Sequence, residues 1–180
     1  NLGRTQNYMP DQPIKFSHKV HAGQNKIDCE YCHSIASHSK SAGIPSANLC
    51  MNCHKVVIAG SRSGKFEIKK IHRAVESGKP IEWVRIHKLP DHAFFSHAQH
   101  VGAGKVKCQD CHGKVEEMDL VKQVSDLSMG WCVNCHRQTG IQATTNKYYE
   151  SFKALHDDAK AGKKITAERL GGIDCAKCHY

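Results

Sequence analysis

No run of about 18 or more apolar residues occurs in this chain, so nothing in it is expected to span a membrane. No signal peptide is present, and Asn1 is not an initiator residue. The expectation is a processed or trimmed chain with a membrane anchor lost upstream of Asn1. Aromatic residues make up only 7% of the sequence, prolines number five, and the mean hydropathy is −0.54. A chain of 180 residues this polar has little material for a large core of its own. A clustered basic face is also missing, although the formal net charge is +9. The lysines read as partners of acidic cofactor groups and as solvated surface, and no nucleic-acid partner is expected.

The absence with the widest consequence is that of any spare cysteine. The ten cysteines fall into five pairs: Cys29/Cys32, Cys50/Cys53, Cys108/Cys111, Cys132/Cys135 and Cys175/Cys178. None remains for a disulfide, a catalytic thiol or an iron–sulfur cluster. A histidine follows every pair directly: His33, His54, His112, His136 and His179. Cys-x-x-Cys-His is the attachment sequence of c-type haem. The two thiols form thioethers with the haem vinyl groups, and the histidine binds iron on the proximal side. Zinc sites also use Cys-x-x-Cys, but they need no histidine after each pair, and five pairs do not divide evenly into four-cysteine sites. Structural disulfides would not need those histidines either. Five covalent haem c groups are therefore expected. Shared among five haems, the chain supplies about 36 residues each. That is too little to wrap each one separately, so the macrocycles must provide much of the apolar core. The expected fold is mostly loops and short α-helices around closely packed haems, with little or no β-structure.

The chain divides around two related stretches. FSHKVHAGQNKIDCEYCH (Phe16 to His33) returns as FSHAQHVGAGKVKCQDCH (Phe95 to His112), and Phe16, His18, His21 and Cys29 map without a gap onto Phe95, His97, His100 and Cys108. A match of this length argues for duplication. Residues 1–15 read as an extended N-terminal arm. Residues 16–60 form a first dihaem module, whose inter-haem link is rich in Ser, Gly and Ala and reads as a loop. Within it, Ser46 can cap a short helix carrying Cys50 to His54. Residues 61–94 hold a helix over Phe66 to Gly78, with Gly78 and Pro80 as stop signals, and then an extended connector. Residues 95–137 form the second dihaem module, whose longer link has helical spacing at Val115, Met118 and Val121. Residues 138–180 form a tail with a helix over Tyr148 to Lys163. The paired Gly171–Gly172 then lets the backbone turn tightly towards the fifth haem.

Each haem iron has a second axial position, and the ligand there sets its potential and reactivity. Nine histidines beyond the motif histidines and four methionines are available, so every iron can be six-coordinate and closed to substrate. The first candidates are His18, His21, His97 and His100. Residues three apart lie near one face of a helical turn, yet each haem needs only one more histidine. The natural use is for the two histidines of a pair to serve two different haems. His38 and Met118 follow their modules' first motifs and are candidates for the second haem of each. His87 and Met129 are second-tier candidates. His72, His92 and His156 read as ordinary helix or loop residues.

The FSHxxH…CxxCH layout resembles the class III multihaem cytochromes. That resemblance implies that His18 serves the haem of Cys29 and His97 that of Cys108, with His21 and His100 reaching other haems. The phrases QPIKFSHKVHAGQNKIDCEYCHS, AGIPSANLCMNCHK, WVRIHKLPDHAFFSHAQHV and MGWCVNCHR resemble the pentahaem cytochrome subunit of alternative complex III, a quinol:electron acceptor oxidoreductase. This second resemblance implies an electron-transfer subunit of a membrane-bound quinol-oxidising respiratory complex, on the periplasmic side of the bacterial inner membrane. It also implies an iron–sulfur subunit, integral-membrane quinol-oxidising subunits, a monohaem cytochrome and, downstream, a terminal oxidase as partners. No catalytic site of the chain's own is expected. The competing reading is a free periplasmic pentahaem shuttle to a reductase. A multihaem reductase of oxyanions would need an open iron position.

Overall fold

A computed structural model describes residues 5–61, 63–141, 147 and 152–179. Among them there is no sheet, only isolated bridges at Gly60–Gly64, Ala93–His179 and Gly140–Thr166. Short helices and loops make up the rest, as expected. The seven α-helices among the described residues are α1 (Cys29–Cys32), α2 (Ala47–His54), α3 (Phe66–Ser77), α4 (Cys108–His112), α5 (Met129–Gln138), α6 (Lys153–Lys160) and α7 (Cys175–Cys178). Two π-helical turns, π1 (Lys19–Gln24) and π2 (Ala98–Ala103), follow the first histidine of each FSHxxH stretch.

The protein core is very small. Among the described residues six hydrophobic ones are buried: Ile14, Ala36, Ile68, Ile71, Ala103 and Ile165. A compact monomer of 20.0 kDa exposes roughly 8,700 Å², whereas this chain exposes 12141 Å². Such an excess is expected of a polypeptide whose apolar interior is meant to be completed by something other than polypeptide.

The two modules embrace one another through equivalent contacts. The Lys19 N–H donates to the Met118 carbonyl, and the equivalent Ala98 N–H donates to the Ser39 carbonyl, both at 2.9 Å. Gly23 in π1 lies against the Glu116 carbonyl, and Gly102 in π2 lies against the Ser37 carbonyl. A Cβ on either glycine would sit 2.2 Å from that oxygen. In both cases the two partners of one contact map onto those of the other by the same shift of the duplication. Residue i meeting j′ while i′ meets j is the signature of a two-fold interface, realised here within one chain. Each module's inter-haem link thus supplies the carbonyls that hold the other module's π-turn.

This exchange explains one departure from the sequence pattern. The helical spacing at Val115, Met118 and Val121 yields a single 3-10 turn, Val115–Glu117, after which Met118 is extended (φ −98°, ψ 127°). The Met118 carbonyl is committed to Lys19 across the interface, so it cannot continue an intrahelical ladder.

The N-terminal arm is pinned to the second module and to the helix and connector between the modules. Asn7 and Tyr8 exchange backbone hydrogen bonds with Gln123 (2.7 and 3.0 Å), and Gln123 is 1% exposed. Further on, Gln12 forms a two-bond clasp with the Val84 backbone, which lies in the extended connector. The Lys15 N–H donates to buried Glu67 on α3 (2.8 Å), and Lys70 bridges Glu67 and the Pro13 carbonyl. Helix α3 ends as its sequence predicts, with Gly78 in the left-handed region (φ 68°) as C-cap.

The tail is held by Ile165, packed on Ile141, Leu155, Ala159 and Leu170, and by Asp158, which pairs with Lys163 and Arg169. The predicted helix over Tyr148 to Lys163 is present as α6. The start of that prediction, 148–151, lies outside the described residues.

Candidate haem sites

Each Cys-x-x-Cys pair lies on a helix of its own, with the motif histidine in its last turn or at its C-cap. One helical turn brings two cysteines three apart onto the same face, which two thioether bonds to one macrocycle require. Local capping fixes where these turns begin. The Asp28 carboxylate accepts from the Glu30 N–H at α1, Asp110 accepts from the Lys107 N–H at α4, and the Ser128 hydroxyl accepts from the Trp131 N–H at α5. Ser46 occupies the N-cap of α2 but its side chain makes no capping bond.

The polypeptide covers the ten cysteines unevenly. Cys32, Cys50, Cys108, Cys111, Cys132, Cys135 and Cys178 are partly buried, whereas Cys29, Cys53 and Cys175 are exposed. Cys53 is one of the three exposed thiols. It sits in the last turn of α2, and its carbonyl accepts from the Val56 and Val57 N–H groups. The chain that follows, Val56, Val57 and Ile58, is itself exposed, so it does not fold back over the thiol. Protein therefore encloses the second motif on one side, at Cys50, and not at Cys53. The pairing with the first motif is kept all the same, because both Cys50 and Cys53 lie close enough to Cys32 to raise its thiol.

The histidines meet in pairs. His21 and His54 have ring centres 6.2 Å apart, His97 and His112 6.4 Å, His100 and His136 5.9 Å, and His92 and His179 5.5 Å. The His97 and His112 rings are parallel to within 1°. His18 lies within electrostatic reach of both His33 and His21. An imidazole nitrogen sits about 2.0–2.1 Å from a metal it binds, so two rings on opposite sides of one ion have centres about 6 Å apart. The observed separations are of that size. Each pair joins one motif histidine to one histidine from elsewhere.

The other ring nitrogen is held in most of them. Nδ1 faces a backbone carbonyl in His21 (Ser17), His33 (Gly43), His54 (Val57), His97 (Lys40), His100 (Ser96), His136 (Gly172) and His179 (His92). In His112 it faces the His87 Nε2 at 3.2 Å. A carbonyl on Nδ1 fixes the tautomer that leaves the Nε2 lone pair free, the arrangement metal-binding histidines adopt. His18 differs: its Nδ1 is buried and has no partner.

The electrostatics favour the neutral form of His18, His100 and His112. Burial, then the His33 and His21 imidazoles, hold His18 down at about 4. Burial, then His87, His97 and His33, hold His112 at about 4. His100 is lowered chiefly by burial, against the Ser96 hydrogen bond that works to raise it. Only a neutral imidazole has a lone pair to give to iron. The thiols are shifted the other way. Burial raises Cys29, with the Cys108 thiol in hydrogen-bond reach adding to it. Burial, then Cys135 and other acidic groups, pushes Cys111 up to about 11.

Paired thiols on single turns, neutral imidazoles in twos and an incomplete apolar interior fit c-type haem. They fit a bare metal ion poorly, since among the described residues no three His, Cys, Asp or Glu side chains converge on a common point.

Of the residues singled out from the sequence, the structure brings His18, His21, His97 and His100 to motif histidines. His87 approaches His112 edge-on, with ring centres 4.3 Å apart, and engages its Nδ1. His38 is exposed, Met118 is partly buried with its backbone engaged by Lys19, and Met129 is 70% exposed at the start of α5. Sequence reasoning gave no role to His92, whose ring centre lies 5.5 Å from that of His179 with 25° between the planes. The available signal was arithmetic: the two FSHxxH stretches supply four partners for five motifs.

No helix among the described residues is long and apolar enough to cross a membrane. No family model matches the chain. The sequence is 39% identical, over 169 residues, to the multihaem cytochrome c subunit of a menaquinone reductase from Nitratidesulfovibrio vulgaris. The match covers 94% of this chain and 68% of the relative.

Proposed function

This chain belongs to the family of multihaem c-type cytochrome subunits represented by that relative, and from that premise we propose that it is the electron-transfer subunit of a membrane-bound quinone-reactive respiratory complex, carrying five covalent haems. The observation that carries the reading is the set of four imidazole pairs with ring centres 5.5 to 6.4 Å apart, each joining a motif histidine to a histidine from elsewhere. In this reading His18 and His33 hold the first haem, His21 and His54 the second, and His97 and His112 the third. His100 and His136 hold the fourth, and His92 and His179 the fifth. A bound haem supplies a one-electron iron couple. The residues would do the rest: ten cysteines tether, ten histidines fill the axial positions, and the carbonyls on Nδ1 of seven of them tune the basicity of those ligands. Cys50 and Cys53 would tether the second haem. With both axial positions filled by protein, the chain performs no substrate chemistry of its own. His38, Met118, Met129 and His87 bind no iron in this reading.

The phrases shared with alternative complex III favour quinol oxidation. An iron–sulfur subunit and integral-membrane quinol-oxidising subunits then stand beside the chain on the periplasmic side of the inner membrane. A monohaem cytochrome and a terminal oxidase receive the electrons. The name of the N. vulgaris relative favours a second reading, in which the complex reduces menaquinone. Isolation of the complex from solubilised membranes through this chain separates the two. Haem reduction on adding menaquinol, passed on to a cytochrome or oxidase, supports the first. Net formation of menaquinol from menaquinone and a reduced periplasmic donor supports the second. Recovery of the chain as an abundant soluble monomer would overturn both and support the free shuttle.

A further inference from the structure

Numbered by their motifs in chain order, the haem sites have neighbours that follow from the groups touching two sites at once. Sites one and two share Phe16, whose ring packs edge-on against His18 (4.8 Å) and stacks on His21 (4.2 Å). Their helices are also tied, because Asn52 on α2 donates to the Tyr31 hydroxyl on α1 (3.1 Å). Sites three and four share Phe95 in the same way, at 4.9 Å from His97 and 4.5 Å from His100.

The modules meet through their first sites. One short segment, 40–43, accepts from His33 Nδ1 at its Gly43 carbonyl (2.7 Å) and from His97 Nδ1 at its Lys40 carbonyl (3.0 Å). It therefore touches the motif histidine of site one and the partner histidine of site three. The Cys29 and Cys108 thiols are also neighbours. Site five attaches beyond site four. His136 Nδ1 donates to the Gly172 carbonyl, in the turn that leads into α7, and the Cys178 thiol is among the groups acting on Cys132.

We propose that the five sites form one unbranched row in the spatial order two, one, three, four, five, joined module to module through the first site of each. The row rests on the five-haem reading above and adds to it an order that differs from the order of motifs along the chain. Two consequences follow from the residues. The ends of the row are α2 with His54 and α7 with His179, so a donor and an acceptor that use the ends must dock on the first module and on the tail. The middle of the row is the pseudo-two-fold interface of Gly23 and Gly102, so the row crosses between the modules at sites one and three.

The test is proton NMR of the fully reduced, fully loaded cytochrome, with haem content first counted by mass. Cross-relaxation between haem substituents identifies neighbouring macrocycles. The row predicts contacts between haems one and two, one and three, three and four, and four and five, and no others. Contact of haem two with haem three, or of haem five with haem three in place of four, overturns the order while leaving the five-haem reading intact. A mass short of five haems overturns the underlying reading instead.

Discussion

The two modules are copies that keep one set of contacts and vary another. Kept are the π-turn, the Phe ring between two imidazoles, and the Nδ1 bonds of His21 to Ser17 and His100 to Ser96, both 2.8 Å. Kept also is the reciprocal exchange of link carbonyls. Varied are the groups behind the other imidazoles. His33 leans on a carbonyl, while its counterpart His112 leans on the His87 ring. His97 donates to Lys40, while its counterpart His18 has a buried Nδ1 with no partner. His54 donates locally to Val57, while His136 donates to Gly172 in the tail. The same difference shows in the thiols: Cys53 is exposed, while its counterpart Cys135 is partly buried and lies 3.3 Å from the Thr139 hydroxyl. The difference teaches that geometry and tuning are separable. The fixed contacts hold rings about an iron-sized gap, and the variable ones adjust how basic each ring is. Equivalent haems of the two modules should therefore differ in potential although their ligands are the same.

The largest effect is expected at the interface that makes the modules equivalent. Gly23→Ala and Gly102→Ala each drive a Cβ towards a backbone oxygen at 2.2 Å, which the backbone must move to relieve. Each should cost about 3 kcal/mol or more, measured by denaturant unfolding of the haem-loaded protein, and the two costs should match. A silent change at one glycine would break the two-fold description.

Next come His21→Met and His100→Met, which exchange equivalent imidazoles for a thioether. Each should raise the potential of one haem by roughly 0.1 V or more, within the ≈ 0.8 V range that axial ligation spans. Redox titration followed optically should find one shifted haem per variant, the second in one case and the fourth in the other.

A smaller effect separates the copies. His87→Phe removes the acceptor behind His112 and should raise the potential of the third haem alone by some tens of millivolts, on the order of 1 kcal/mol. The first haem, whose His33 uses a carbonyl, should not respond. The smallest contrast lies at the helix caps. Ser128→Ala should cost about 1 kcal/mol because its hydroxyl accepts the Trp131 N–H, whereas Ser46→Ala should cost close to nothing.

Much of this was legible from spacing alone. Five Cys-x-x-Cys-His sequences name their cofactor, the gapless match of Phe16–Cys29 to Phe95–Cys108 names the duplication, and the pattern from Phe66 to Gly78 names α3. These signals are local, and local chemistry decides them. What was not legible depends on partners distant in sequence. The π-turns form where a glycine admits a carbonyl from the opposite module. The helix suggested by Val115, Met118 and Val121 gives way because Met118 is engaged by Lys19. The arm is fixed by Gln123, more than a hundred residues away, whose side chain accepts from Thr5. The motif spacing treats Cys53 like every other attachment thiol, and its exposure follows only from the path the chain takes after α2. His92 sits among loop residues and acquires a neighbour only because the tail returns Cys178 to Phe94, where the Phe94 N–H donates to the Cys178 carbonyl (2.7 Å).

The central claim is that ten histidines in five pairs close five haem irons. Low-temperature electron paramagnetic resonance of the oxidised protein, with haem quantified per chain, addresses it directly. The account predicts five haems, all low-spin and all with two histidine ligands. A high-spin signal, a histidine–methionine haem or fewer than five haems per chain would contradict it.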